Sequence, residues 1–296
     1  MSKENGRIVQ IGIIKILALI TILFLSGKSD TSVPGFPPES LKKEKPPFKT
    51  KQNPPGTVWL RDSVFIDVNP VKCIDYMEFL EFVKVAYNQE LRDSLKNIPS
   101  YALNIEAFRS YMRLCGPDKA LINKMSIPTD MKLSWNMNMN EYMKSPNYKN
   151  FPIVNVSYNQ ALTYSEWRTD MVMLYYASAS KNEKQRNKKY YTKIRYRLPT
   201  IEEWDYAMHK FEEYIFTDYH VYAGEKCATY EAIPQKKNLA FTYIPHNIAE
   251  LSMTENIALG LSWRDTDTSA NYSKTVKYFR PSDWLGFRCV CEIVEY

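Results

Sequence analysis

Apolar and polar positions along the chain divide it into segments of different character. Ile16 to Leu25 is apolar sequence but for Thr21, behind Lys3, Arg7 and Lys15, the order of a charged n-region and an h-region, and Leu25-Ser26-Gly27 offers a small-residue cleavage point. From Ile8 to Leu25 the run approaches spanning length, interrupted by Gln10 and Lys15, where roughly twenty apolar residues are wanted. Cleaved signal and retained anchor both stand open for residues 1–29. Residues 30–55 carry seven prolines among lysines, a composition that keeps backbone extended and removes amide donors, as expected of a linker.

A domain is expected over residues 56–296. Thr57 to Leu60 and Ser63 to Val68 read as two short strands around Arg61-Asp62. Apolar residues at Met77, Leu80, Val83 and Val85 or Tyr87 predict a helix from Ile74 to about Tyr87, and a second is expected from Ile105 to Leu114. Phe151 to Val156 is a strand that runs into a helix reaching Trp167, where Ser157 and Gln160 have the spacing of a capping box. Thr200 and Glu203 repeat the device ahead of Trp204. No internal repeat is visible.

Composition narrows the function classes. With 45% hydrophobic and 24% charged residues the chain can bury a core. Nine glycines are few for phosphate-binding loops, and no P-loop, G-x-G-x-x-G or serine nucleophile elbow occurs. His209, His220 and His246 are scattered without a chelating pair. The net charge of +6 is modest and does not call for nucleic acid. Much of it falls in Lys42 to Lys51 and Lys181 to Arg197. The insert from Lys181 to Tyr191 reads as a solvated hairpin or helix extension; as a grip, it would suit a surface polysaccharide, a lipid headgroup or a protein partner. Five cysteines, Cys73, Cys115, Cys227, Cys289 and Cys291, leave an odd thiol in an exported chain.

Five blocks stand in a familiar order: Pro152 to Ala161, Arg197 to Ala207, Asn247 to Glu250, Gly260 to Arg264, and Gly286 to Cys289. With Phe65-Ile66-Asp67 and the helix Tyr76-Met77-Glu78-Phe79, they resemble the formylglycine-generating enzyme, or sulfatase-modifying factor, family. The resemblance implies an α+β fold, the family's variant of the C-type lectin fold, with much irregular structure. The short Asn247-Ile248-Ala249-Glu250 block is similar to that of gliding-motility and secretion-associated lipoproteins of Bacteroidota.

Catalytic members of that family oxidise a substrate cysteine with copper held by two cysteines, thiolate being the soft ligand Cu(I) prefers. No cysteine lies between Arg264 and Arg288, Leu251 and Leu261 replace family site residues, and the opening motif reads Pro70-Val71-Lys72-Cys73. Copper is therefore not expected, and no catalytic residue is assigned. The resemblance also implies structural calcium, which Glu250 with the carbonyls of His246 and Ile248 could ligate in part; a local cap or salt bridge by Glu250 is the other reading. Ser262, Trp263, Arg264 and Arg288 are the residues expected to line a vestigial cleft. The expected protein is an exported, periplasmic or membrane-anchored interaction component of the cell envelope with protein partners, in gliding motility or secretion. A rearranged oxidase and a lectin-like module binding glycan or another surface ligand are the alternatives.

Overall fold

The computed structural model describes residues 51–215, 241–265 and 271–296. The signal or anchor, most of the linker, Cys227 and His220 lie outside the described residues.

The opening hairpin forms as expected. Strand β1 (Thr57–Arg61) turns at Asp62, whose φ of 42° is the left-handed conformation a short polar residue tolerates, into β2 (Val64–Asp67). Helix α1 (Cys73–Val85) follows. Its buried face is Tyr76, Phe79, Leu80, Phe82 and Val83, so the aromatic residues turn it away from the aliphatic stripe through Met77 and Val85. Tyr87 stands beyond the helix and its hydroxyl donates to Asp170 Oδ2 at 2.7 Å.

Helices α2 (Gln89–Lys96), α3 (Ile105–Cys115), α4 (Lys119–Met125) and α5 (Met139–Lys144) come next. Each starts at an Asn or Asp, residues 88, 104, 118 and 138, whose side chain accepts an amide of the first turn and satisfies a donor the helix leaves orphaned. Helix α6 (Tyr158–Ala179) is a full capping box: Gln160 N donates to Ser157 Oγ (3.2 Å) and Ser157 N to Gln160 Oε1 (2.8 Å). It runs twelve residues past Trp167, the end expected from the pattern, because Val172, Leu174, Tyr176 and Ala177 keep a buried face.

The basic insert is a short helix exposed at every position but one, close to the expected helix extension. It forms α7 (Glu183–Lys189), and Arg186 in it is 1% exposed, donating from Nε to Ser100 O (3.0 Å) and from Nη2 to Thr192 O (2.6 Å). Tyr190 stacks on Tyr176 with centroids 4.3 Å apart. The remaining elements are β3 (Lys193–Arg197), α8 (Ile201–Lys210), β4 (Ala249–Leu251), β5 (Ile257–Leu259), β6 (Thr275–Lys277), β7 (Leu285–Gly286) and β8 (Val290–Glu295).

Two four-stranded sheets result. One has the order β1-β2-β8-β3 and is antiparallel throughout; the other, β6-β5-β4-β7, has one parallel pair, β4 with β7. Side chains alternate across the first sheet. Phe65, Cys291 and Tyr196 enter the large core with α1 and α6, while Ile66 and Val290 enter a smaller one with Trp204, Phe211 and Phe241. The sheet is thus covered on both faces at the start of β8, where Val290 and Cys291 enter the two cores, while Glu292 beside them pairs with Arg195 and Arg197. Residues 51–55, at the end of the expected linker, lie on the domain: Gln52 N donates to Lys189 O (3.0 Å), and Pro55 O accepts from Tyr196 Oη (2.8 Å). Among the described residues no helix is long and apolar enough to cross a membrane.

Candidate functional site

The sequence blocks converge on a buried ion pair. Arg288 donates from Nε to Glu250 Oε2 (2.6 Å) and from Nη2 to Glu250 Oε1 (2.7 Å), and the two side chains are 0% and 1% exposed. Parallel pairing of β4 with β7 sets Glu250 beside Gly286, two residues ahead of Arg288. The guanidinium also reaches Asp67 O (3.2 Å) and Thr242 O (2.9 Å), and lies over the rings of Phe241 and Trp204. Burial pushes the Glu250 carboxyl up, with Arg288 pulling against it.

Glycines allow the blocks to approach. Gly260 has φ +81° and a Cβ there would stand 2.6 Å from Tyr243 Oη; a Cβ on Gly286 would stand 2.6 Å from Ile153 O. Asn247 bridges to Ser262, and Trp263 N donates to Asn247 O at 3.2 Å. Ser262 ties its own loop, donating from N (2.8 Å) and Oγ (2.9 Å) to Asp265 Oδ2. Burial alone would raise the Asp265 carboxyl; Lys274 and Ser262 outweigh it and hold it low. Arg197 clamps Glu203 in the same bidentate way, at 2.8 and 2.7 Å.

These positions correct the expected cleft. Arg288, Ser262 and Trp263 are 0%, 1% and 8% exposed, so they hold blocks together and line no opening; Arg264 alone of the four is exposed, its guanidinium 5.4 Å from the Trp284 ring centroid. The calcium donors do not fit either. Both Glu250 oxygens are committed to Arg288, the space beside them is about 10 Å³, and the described residues contain no group of three His, Cys, Asp or Glu able to hold a metal. A calcium ion takes six to eight oxygens. It would have to displace a guanidinium that is itself fully buried. His246, at φ 59°, leaves Nδ1 buried and without a hydrogen bond, and Ile248 is 2% exposed.

The described thiols do not fit copper. Cys73, Cys289 and Cys291 are free and buried, and Cys115 is free and half-buried. Burial pushes the Cys289 thiol up to about 12 and also raises Cys73 and Cys291, which keeps them protonated, whereas a copper pair needs thiolate. Cys289 Sγ lies 3.4 Å from Ser165 Oγ within the core.

Residues 31–284 match the sulfatase-modifying factor enzyme 1-like domain family. The chain belongs to that family. The match begins within the expected linker, ahead of residue 56. A solved structure, Treponema denticola variable protein 1, aligns at 15% identity over 77% of this chain and 84% of its own, with a TM-score of 0.33. No curated protein matches the chain. The mixed helix and strand architecture is that of an α+β member of the sulfatase-modifying factor family.

A second polar group, not anticipated from the blocks, lies between α1 and α6. Arg168 donates from Nη1 to Asp67 Oδ2 (2.6 Å) and from Nη2 to Pro55 O (2.8 Å), and Cys289 N donates to the same Asp67 oxygen (2.9 Å). Lys72, 2% exposed, has its Nζ 3.7 Å from Asp75 Oδ1. Glu78, one turn further along α1, is pushed up to about 7 by burial and then by Asp75. The signal was present in the sequence: Asp75 and Glu78 are spaced i, i+3 and so share a helix face, and Lys72 interrupts an otherwise apolar opening motif.

Proposed function

We propose that this chain is an exported, non-catalytic member of the sulfatase-modifying factor family, acting as a structural or interaction component of the cell envelope in motility or secretion. The observation that carries the reading is the Glu250–Arg288 pair. It joins the family's blocks through a bidentate bond with no exposed face, so the residues nearest the family's reacting centre serve cohesion. The chain supplies no cysteine from 265 to 287, and the thiols nearest the blocks are held neutral in the core. The apolar segment from Ile16 to Leu25 and the proline-rich stretch behind it support export and display away from a surface.

Two measurements test it. The full chain, titrated with Cu(I) against a competing chelator, is expected to take up no stoichiometric metal. Incubated with a Cys-x-Pro-x-Arg peptide, copper and oxygen, it is expected to leave the cysteine unchanged by mass spectrometry; conversion to formylglycine overturns the reading.

A further inference from the structure

The cavity between α1 and α6 has a volume of about 160 Å³, and Pro55 and Gly56 form part of its lining. Its polar lining is only partly satisfied. Asp67 is 3% exposed; Oδ2 is taken by Arg168 and the Cys289 amide, and Oδ1 has no hydrogen bond. Asn69 Oδ1 has none either. On the donor side, Lys72 Nζ and Trp167 Nε1 are buried without a hydrogen bond. Asp75 lines the cavity with 29% of its side chain accessible.

Each unmade buried hydrogen bond costs about 1–3 kcal/mol, and native proteins leave few. Here two acceptors and two donors of that kind belong to residues lining one space, each atom itself covered until its side chain turns toward a ligand. Their chemistry restricts what could satisfy them. A divalent cation is disfavoured by the Lys72 ammonium, and the described residues contain no metal-holding group. A phosphate-like anion would face Asp67, Asp75 and Glu78. A simple amine would leave Lys72 and Trp167 unpaired. The volume is well below the roughly 300–1,000 Å³ of sites for drug-sized ligands. Met171 and Val172 add an apolar wall.

We propose that this cavity binds a small zwitterion of free amino-acid size, its carboxylate at the Lys72 and Trp167 end and its ammonium at the Asp75 and Glu78 end. The site meets the Glu250–Arg288 centre only at Asp67, whose carbonyl accepts from Arg288 while its side chain lines the cavity, and it does not depend on whether the chain is catalytic. Lys72 moves from its loose 3.7 Å contact with Asp75 Oδ1 to the ligand carboxylate, and that Oδ1, with Oδ2 still accepting from the Lys72 amide at 3.2 Å, joins Glu78 around the ammonium. Binding therefore exchanges one internal ion pair for two ligand pairs. The apolar wall would select among side chains.

The test is calorimetric titration of the full chain in detergent solution with the free amino acids. For leucine, the matched probes are isopentylamine, which lacks the carboxylate, and 4-methylpentanoate, which lacks the amine; any other binder is paired in the same way. The expected result is saturation at one site by at least one amino acid, with both single-charge analogues at least tenfold weaker. Glu78→Gln and Lys72→Met should each weaken binding at least tenfold, with circular dichroism unchanged for Glu78→Gln. If Lys72→Met does not fold, Glu78→Gln and the analogue series decide. Absence of saturation by any amino acid, meaning that water alone fills the cavity, overturns the proposal. So does an amine that binds as tightly as its amino acid, or a Glu78→Gln variant that binds as the unchanged chain does.

Discussion

Two buried polar groups in this protein are about equally rich in charge and opposite in completeness. Around Arg288, the Glu250 carboxylate accepts two short hydrogen bonds, two backbone carbonyls accept further ones, and aromatic faces cover the rest. Around Lys72, one 3.7 Å contact stands where several hydrogen bonds could, and three neighbouring polar atoms have none. Low dielectric raises the stakes of both arrangements. A satisfied centre fixes one geometry and has no bonding capacity left for a ligand. An unsatisfied one keeps that capacity, at a cost in stability that a ligand can offset.

The largest test of the contrast is Arg288→Met. It leaves Glu250 buried and unpaired, for which about 3–5 kcal/mol of destabilisation is expected, measured by urea unfolding. The double variant Glu250→Leu with Arg288→Met should recover much of that loss, since a buried pair replaced by apolar groups is often close to neutral. If the single variant loses less than about 1 kcal/mol, the pair is not the tie between blocks that its geometry indicates.

How much of this was legible in the chain depends on whether a feature is local. The Ser157 and Thr200 capping boxes, the hairpin at Asp62 and the order of the blocks are written in adjacent residues, and each formed where expected. Helices α2, α4 and α5 are short, six to eight residues, too few for apolar spacing to establish a helix even where Leu91 and Leu95 of α2 stand i, i+4; their Asn and Asp caps are the available signal. The end of α6 falls twelve residues past Trp167 because Val172, Leu174, Tyr176 and Ala177 extend its buried face, and Arg186 in α7 shows that a charged residue can be buried when carbonyls from other segments receive it. The candidate site failed in the same way. Arg288 and Glu250 were both legible as important residues, but the sequence could not tell that they satisfy each other across 38 positions. Nothing in one chain's spacing distinguishes an arginine that lines a cleft from one that closes it.

The unsatisfied centre should respond in the opposite sense. Glu78 titrates in the fold near 7, against an ordinary value of about 4.3. Between those values the folded state holds more protons than the unfolded one, so stability falls as pH rises from about 4.3 to about 7 and then levels. Burial and Asp75 on the same helix oppose its ionisation, while Lys72 favours it; Asp67 and Arg168 line the same cavity. Glu78→Gln should remove this slope and, in the absence of ligand, stabilise the protein at pH 8 by about 1–2 kcal/mol, allowing for the partial exposure of the side chain. Thermal unfolding across pH 4.5–8 checks it, pH values chosen to span roughly the two pKa values. A variant with the original slope would mean that water already solvates Glu78 well, and the asymmetry between the two centres would shrink.

The smallest effect concerns the edge of the satisfied centre. Arg264 is exposed, and its guanidinium rests 5.4 Å from the centroid of Trp284, whose indole Nε1 is buried without a hydrogen bond. An exposed cation over an aromatic face contributes about 0.5–1 kcal/mol, so Arg264→Ala should cost that much in urea unfolding and leave the cooperativity of the transition unchanged. Arg264→Lys should recover part of it, the ammonium lacking the flat face that stacks. The ordering matters more than either value. Arg288 and Arg264 were paired in the expected cleft as two cations of one surface, and a cost several times larger at Arg288 than at Arg264 is what separates an arginine holding strands together from one resting on their edge. Equal costs would return both to a common surface.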